Sequence, residues 1–179
     1  MFKTCDSLVV AVDFQVRLMT AMFDFEAVEK KAGMFVSSCK ILDVPIVVTQ
    51  QYTKGLGETI PTLKEALGEF EPIEKVIFSC CGAKEFMDKI ESSGRKNIIV
   101  MGIESHVCVQ QTVLDLLDKG YNVYVLADCI SSRSKMDDKY AKKRMRQAGA
   151  VITTAESVLF EFLLSADHPK RKEISNLVK

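Results

Sequence analysis

The chain has 179 residues, its 24 lysines and arginines are balanced by 24 aspartates and glutamates, and 47% of it is hydrophobic. That length and apolar content fit one core-forming domain over 1–179 without disulfide or metal staples, which excludes disorder as the dominant state. With no net charge there is no field to hold nucleic acid or an anionic membrane, and no apolar run nears the ~20 residues that cross a bilayer. The opening Met-Phe-Lys-Thr-Cys-Asp lacks the apolar segment and small-residue cleavage site of a secretory signal, so we expect a cytoplasmic protein whose six cysteines are reduced thiols.

Short apolar runs alternate with segments of helical period, the pattern of βαβ units and a parallel sheet. Ser7 to Val12 reads as the first strand. From Asp24 to Leu42, apolar residues three and four apart (Phe25, Val28, Ala32, Phe35, Val36, Cys39, Leu42) mark one helix face, with Asp24 as N-cap. Ile46 to Thr49 is a second strand, followed by a polar loop from Gln50 to Thr62 containing Gly55 and Gly57. Lys75 to Ser79 reads as a third strand that Lys75 begins, Lys84 to Ser92 as a helix, and Asn97 to Ile103 as a fourth strand. Val107 to Lys119 is a helix closed by Gly120 at C′. Asn122 to Ala127, the basic helix Asp137 to Ala148, Val151 to Thr153 and the helix Glu156 to Leu164 complete the alternation, and the charged tail from His168 reads as helical. Six strands and their helices make an α/β fold.

No G-x-G-x-x-G or Walker lysine follows the first strand, where the chain reads Asp13-Phe14-Gln15-Val16-Arg17, so nicotinamide and nucleoside triphosphate cofactors are not expected. In open α/β sheets ligands sit outside the carboxyl ends of the strands, which draws attention to the polar residues placed there. Taken singly, Asp13 reads as a turn residue, Lys75 as a solvated side chain and Cys108 as a small buried hydrophobe. Together they supply a thiol, a carboxylate to take its proton and a cation to hold the charge. Cys108, near the start of its helix, is expected to be activated as a thiolate by the backbone N–H groups and by Lys75. His106 stands two residues away and could line the pocket. Adjacent Cys80 and Cys81 have poor ligand geometry and no second pair at zinc spacing, so no metal is expected.

The run Gly102-Ile103-Glu104-Ser105-His106-Val107-Cys108-Val109, with Thr112, Asp115 and Gly120 beyond it, resembles the nucleophile segment of the isochorismatase-like cysteine hydrolases. Asp13 with Gln15 is similar to that family's first-strand D-x-Q, and Lys75 ahead of Phe78-Ser79 to its catalytic lysine. The segments Gln51 to Gly57, Ser131 to Ser134 and Arg144 to Ala150 resemble the branch of isochorismatase domain-containing proteins.

The resemblance implies a three-layer, Rossmann-like fold with a six-stranded parallel sheet and a Cys108-Asp13-Lys75 triad. It further implies an oxyanion hole of the Glu104 and Cys108 N–H groups, a cis Ile103–Glu104 bond, and a homo-oligomer. Gln15, Phe23, Gln51, Tyr52, Phe78 and His106 are the expected substrate contacts. Gln50, Gln51 and Tyr52 replace the metal-binding aspartate and histidines of nicotinamidases, whereas true isochorismatases lack the cysteine this chain keeps. The expected activity is therefore metal-independent hydrolysis of an amide-like C–N bond in a small metabolite, through a thioester and without a cofactor. Two other readings stay open: a catalytically idle oligomeric scaffold, and a redox-responsive thiol protein. The apolar loop Leu18 to Phe25 either packs on its own core or is covered by a partner subunit that walls the site near Phe23 and Tyr52.

Overall fold

A computed structural model describes residues 3–179. Its sheet has six parallel strands, β1 (Ser7–Val12), β2 (Ile46–Gln51), β3 (Ile73–Lys75), β4 (Asn97–Ile103), β5 (Asn122–Ser131) and β6 (Val151–Thr153), in the order β3-β2-β1-β4-β5-β6. The helices are α1 (Val16–Met19), α2 (Phe25–Ile41), α3 (Thr53–Leu56), α4 (Pro61–Leu67), α5 (Lys84–Ser92), α6 (Gln110–Asp118), α7 (Lys135–Gln147), α8 (Ala155–Leu163) and α9 (Arg171–Val178). The α/β class and the parallel sheet are as the sequence implied.

β1 shows why the strands read as unbroken apolar runs. Every residue of it is buried, and alternate side chains enter different cores. Val9 and Ala11 join a core shared with α2 and α8, whereas Leu8, Val10 and Val12 join the one packed under α5, α6 and α7. β4 divides the same way, with Ile99, Met101 and Ile103 on the first side and Ile98 and Val100 on the second. The apolar stripe of α2 faces the first core as expected. Asp24 does occupy its N-cap position, but at φ 56° and without a side-chain cap hydrogen bond. Gly120 ends α6 at φ 81°, its N–H bonded to Leu117 O and that of Tyr121 to Leu116 O, the paired bonds of a Schellman cap.

Several expectations are corrected. The segment Gln50 to Thr62 is not a plain loop: β2 continues to Gln51, α3 follows, and Pro61 begins α4 at its first turn. β3 covers Ile73–Lys75, so Lys75 ends the strand instead of beginning it. The cause lies in β2, whose last paired residue, Gln51, stands opposite Lys75 and leaves no partner for a longer β3. Val76, Ile77 and Phe78 then run exposed. Ahead of α6, Ser105–Val109 form a π-helical turn, and Cys108 lies in that turn. β5 extends to Ser131, beyond the expected Ala127. In the Leu18 to Phe25 segment, α1 and the turn after it bury Met19 and Met22 in the chain's own core, so these two need no partner subunit to cover them.

Candidate active site

The strand order reverses between β1 and β4, and such a switch point opens a crevice at the carboxyl ends. Asp13 leaves β1 there, and the Cys108 turn leaves β4. The two strands approach closely at Gly102, φ 137°, where an added Cβ would stand 2.2 Å from Val12 O. Only glycine fits this position. The Ile103–Glu104 peptide bond that follows is cis.

Asp13 is fully buried at φ 50°, a left-handed conformation that aspartate tolerates better than most residues. Its Oδ1 accepts a hydrogen bond from Thr49 Oγ1 at 2.7 Å and its Oδ2 one from Lys75 Nζ at 2.6 Å. The Lys75 ammonium also donates to Gln51 Oε1 at 2.8 Å, Phe78 O at 3.0 Å and Ile77 O at 3.3 Å. Both charged side chains have 0% exposure. Burial alone would lower the Lys75 pKa, but the opposing charge of Asp13, with smaller contributions from Cys80 and Cys108, raises it. The lysine is thus held as a cation although no water reaches it. Such a pair is costly to desolvate and is weak evidence for stability, which directs attention to chemistry.

Cys108 is 6% exposed. Burial pushes its thiol pKa up, the charge of Asp13 pushes further, Lys75 opposes, and a side-chain hydrogen bond to Asp13 adds to the rise. Of the expected activating influences, Lys75 does lower the thiol pKa, but it is the smaller effect. Desolvation and the adjacent carboxylate outweigh the lysine, so the proton stays on sulfur beside the group able to accept it. The structure thus brings Asp13, Lys75 and Cys108 into one electrostatically coupled cluster.

The other expected contacts fall into two groups. Gln15 is buried and fully used as a clamp: its Nε2 donates to Gln51 O at 3.0 Å and Gly57 O at 2.6 Å, and its Oε1 accepts from Gln51 N at 2.7 Å. It shapes the loop after β2, with both Nε2 hydrogens engaged there. Gln51 holds Lys75 and donates to Val76 O at 2.8 Å, so it too is committed to positioning. Phe23, Tyr52 and Phe78 are exposed. Phe23 carries the Lys135 ammonium 4.5 Å from its ring centroid, and the Tyr52 N–H donates to Lys75 O. His106 Nδ1 lies 2.9 Å from Ser132 Oγ, and the Glu104 carboxylate accepts from Arg133 Nε at 2.8 Å.

Two residues of the cluster escaped the sequence reading. Thr49 fixes the carboxylate orientation of Asp13, and the available signal was a hydroxyl at the carboxyl end of a buried parallel strand. Cys80 lies behind it, Sγ 3.6 Å from Thr49 Oγ1. Its pKa is pushed up to about 11 by burial and by Asp13. All six cysteines are free thiols.

The family model for the isochorismatase domain matches residues 7–157. Isochorismatase domain-containing protein 2 of Xenopus laevis is 37% identical over 173 residues, covering 96% of this chain and 83% of that protein. A solved structure of MAR1 ribonuclease from Caenorhabditis elegans is 40% identical with a TM-score of 0.93, covering 99% of this chain and 91% of the other. The Escherichia coli YcaC gene product, described as an octameric hydrolase of unknown specificity, shares the fold at a TM-score of 0.89 and 23% identity, over 98% of this chain and 86% of its own. A domain match across most of the sequence, joined to relatives above a third identity along almost all of it, settles the affiliation: the chain belongs to the isochorismatase family.

Proposed function

We propose that this protein is a metal-independent cysteine hydrolase that cleaves an amide-like C–N bond in a small metabolite, with Cys108 as nucleophile. The buried Asp13–Lys75 pair at 2.6 Å, coupled to the Cys108 thiol, carries the reading. As sulfur attacks the substrate carbonyl carbon, its proton passes to Asp13, and Lys75 limits the charge change by remaining paired to that carboxylate. The tetrahedral oxyanion is received by the N–H groups of Glu104 and Cys108. Asp13 returns the proton to the departing amine, leaving a Cys108 thioester, and then activates the water that hydrolyses it. Phe23, Tyr52, Phe78 and His106 are the side chains we assign to substrate contact, while Gln15 holds the loop after β2 and Gln51 holds Lys75.

Metal independence is supported by the donor chemistry after β2, where Gln50 donates to Thr59 and Gln51 serves Lys75. Six free thiols support a reducing, cytoplasmic setting. Val76, Ile77 and Phe78 follow Lys75 at 74%, 41% and 54% exposure, and Tyr52 is 52% exposed. These apolar surfaces support a homo-oligomer in which a second copy covers the mouth of the site.

The test is turnover of a panel of small amides, ureides and esters, with an RNA oligonucleotide as a further arm and Cys108→Ala as blank. We expect hydrolysis of a carbonyl substrate that survives exhaustive chelation and disappears in Cys108→Ala. RNA cleavage that persists in Cys108→Ala, with no carbonyl substrate turned over, would overturn the reading.

A further inference from the structure

α7 carries a feature that the chemistry at Cys108 does not use. Lys139, Lys142, Lys143 and Arg146 are spaced three, one and three residues apart, which places them on one face of the helix over a length of about 10 Å. Each has like-charged neighbours three or four positions away, an arrangement that destabilises a helix unless an anion offsets it. The internal anion available is insufficient. Asp138 Oδ2 accepts from Lys142 Nζ at 2.6 Å, but its Oδ1 already accepts from Ser105 Oγ at 2.8 Å. Among the described residues, Lys139, Lys143 and Arg146 form no ion pair. Lys142 is half-buried, and Lys139, Lys143 and Arg146 are exposed. All four cations, together with Asp138 and Gln147, line one open cavity of about 680 Å³ whose apolar wall comes from Ala127 and Ile152, at the β5–β6 edge of the sheet. In a chain with no net charge, this concentration of positive charge is local, and its lining includes none of Asp13, Lys75 and Cys108, although Asp138 joins it to Ser105 in the Cys108 turn.

We infer that the groove between α7 and the β5–β6 edge is a second binding site, which takes a small molecule bearing two or more phosphoryl groups. A chain of phosphoryl oxygens can lie along the four cations, each contact charge-assisted, while the apolar wall leaves room for an organic portion. The short run of four cations, about 10 Å long, matches a small ligand better than an extended polymer.

The experiment is calorimetric titration of the full wild-type chain with inorganic tripolyphosphate at low ionic strength, with ADP in a parallel arm. We expect one saturable site per protomer that weakens as salt rises. Lys139→Gln/Lys143→Gln should weaken it about tenfold or more, while its unfolding temperature is not lowered, because like charges have been removed. Lys119→Gln/Lys172→Gln, which removes exposed cations elsewhere, and Cys108→Ala should leave binding unchanged. ADP binding more tightly than tripolyphosphate would identify a nucleotide-like source, and equal affinity an inorganic one; both support the site. The inference is overturned if no saturable binding occurs, or if both lysine double variants lose binding equally. It is also overturned if tripolyphosphate fails to bind while a single-stranded oligonucleotide or self-association of the chain depends on Lys139 and Lys143.

Discussion

The two sides of the candidate active site are both buried, yet one holds an ion pair and the other a neutral group. On the β1–β3 side, Asp13 and Lys75 are a carboxylate and an ammonium whose donors and acceptors are met by Thr49, Gln51 and the carbonyls of residues 77 and 78. On the β4 side, Cys108 sits in a turn where burial and the neighbouring carboxylate keep it a neutral thiol. Burial does not itself decide whether a group is charged; the partner does. In the mechanism we propose, the thiol proton crosses from one half to the other.

Breaking the comparison on the thiol side should give the largest effect. Cys108→Ala removes the proposed nucleophile and leaves the Asp13–Lys75 pair in place, so activity on the panel's substrate should fall by roughly 10³-fold or more with unfolding little changed, as steady-state kinetics and denaturant titration would show. Next comes the pair itself. Asp13→Ala leaves a buried ammonium unpaired and should cost about 3–5 kcal/mol in denaturant titration. Lys75→Met leaves the buried Asp13 carboxylate without its cation and should cost a comparable amount by the same measurement.

Cutting the Gln15 clamp is a smaller perturbation. Gln15→Ala loses three hydrogen bonds to the loop after β2 and should cost about 1–3 kcal/mol, with activity falling because Gln51, and through it Lys75, is displaced. Amide exchange over 51–57 would register the loosening directly.

The smallest effect sharpens the contrast through pH. Buried Cys108, Cys39 and Cys129 have native pKa values raised above the ordinary thiol value of 9.0, with burial as the leading cause in each. Below that value both states hold the thiol protons and the native preference is fully present. Above it the unfolded chain releases them and the native chain does not, so stability should decline as pH rises from about 9. An unfolding free energy that rises between pH 9 and 10 would contradict the assignment of neutral thiols.

Legibility in the sequence followed burial. β1 and β4 read correctly because strands covered on both faces appear as unbroken apolar runs, and α2 because seventeen residues display several turns of its buried stripe. α1 and α3 have only four residues each, too few for a period to show, and Gly55, Gly57 and Pro61 made the start of α4 look like loop. β3 was displaced because its extent is set by where β2 stops. The three members of the cluster were readable from position and residue type together with the family resemblance. The Gln15 clamp was not, since its partners Gln51 and Gly57 lie 36 and 42 residues away. Nor was the neutral thiol, whose cause is the local packing around Cys108.

The most direct test is peptide-resolved mass spectrometry of wild-type protein acid-quenched during turnover of a carbonyl substrate. The account predicts an acyl group on the peptide containing Cys108 and on no peptide containing Cys39, Cys80 or Cys129. Sustained turnover with an unmodified Cys108, matched by the Cys108→Ala protein, would contradict it.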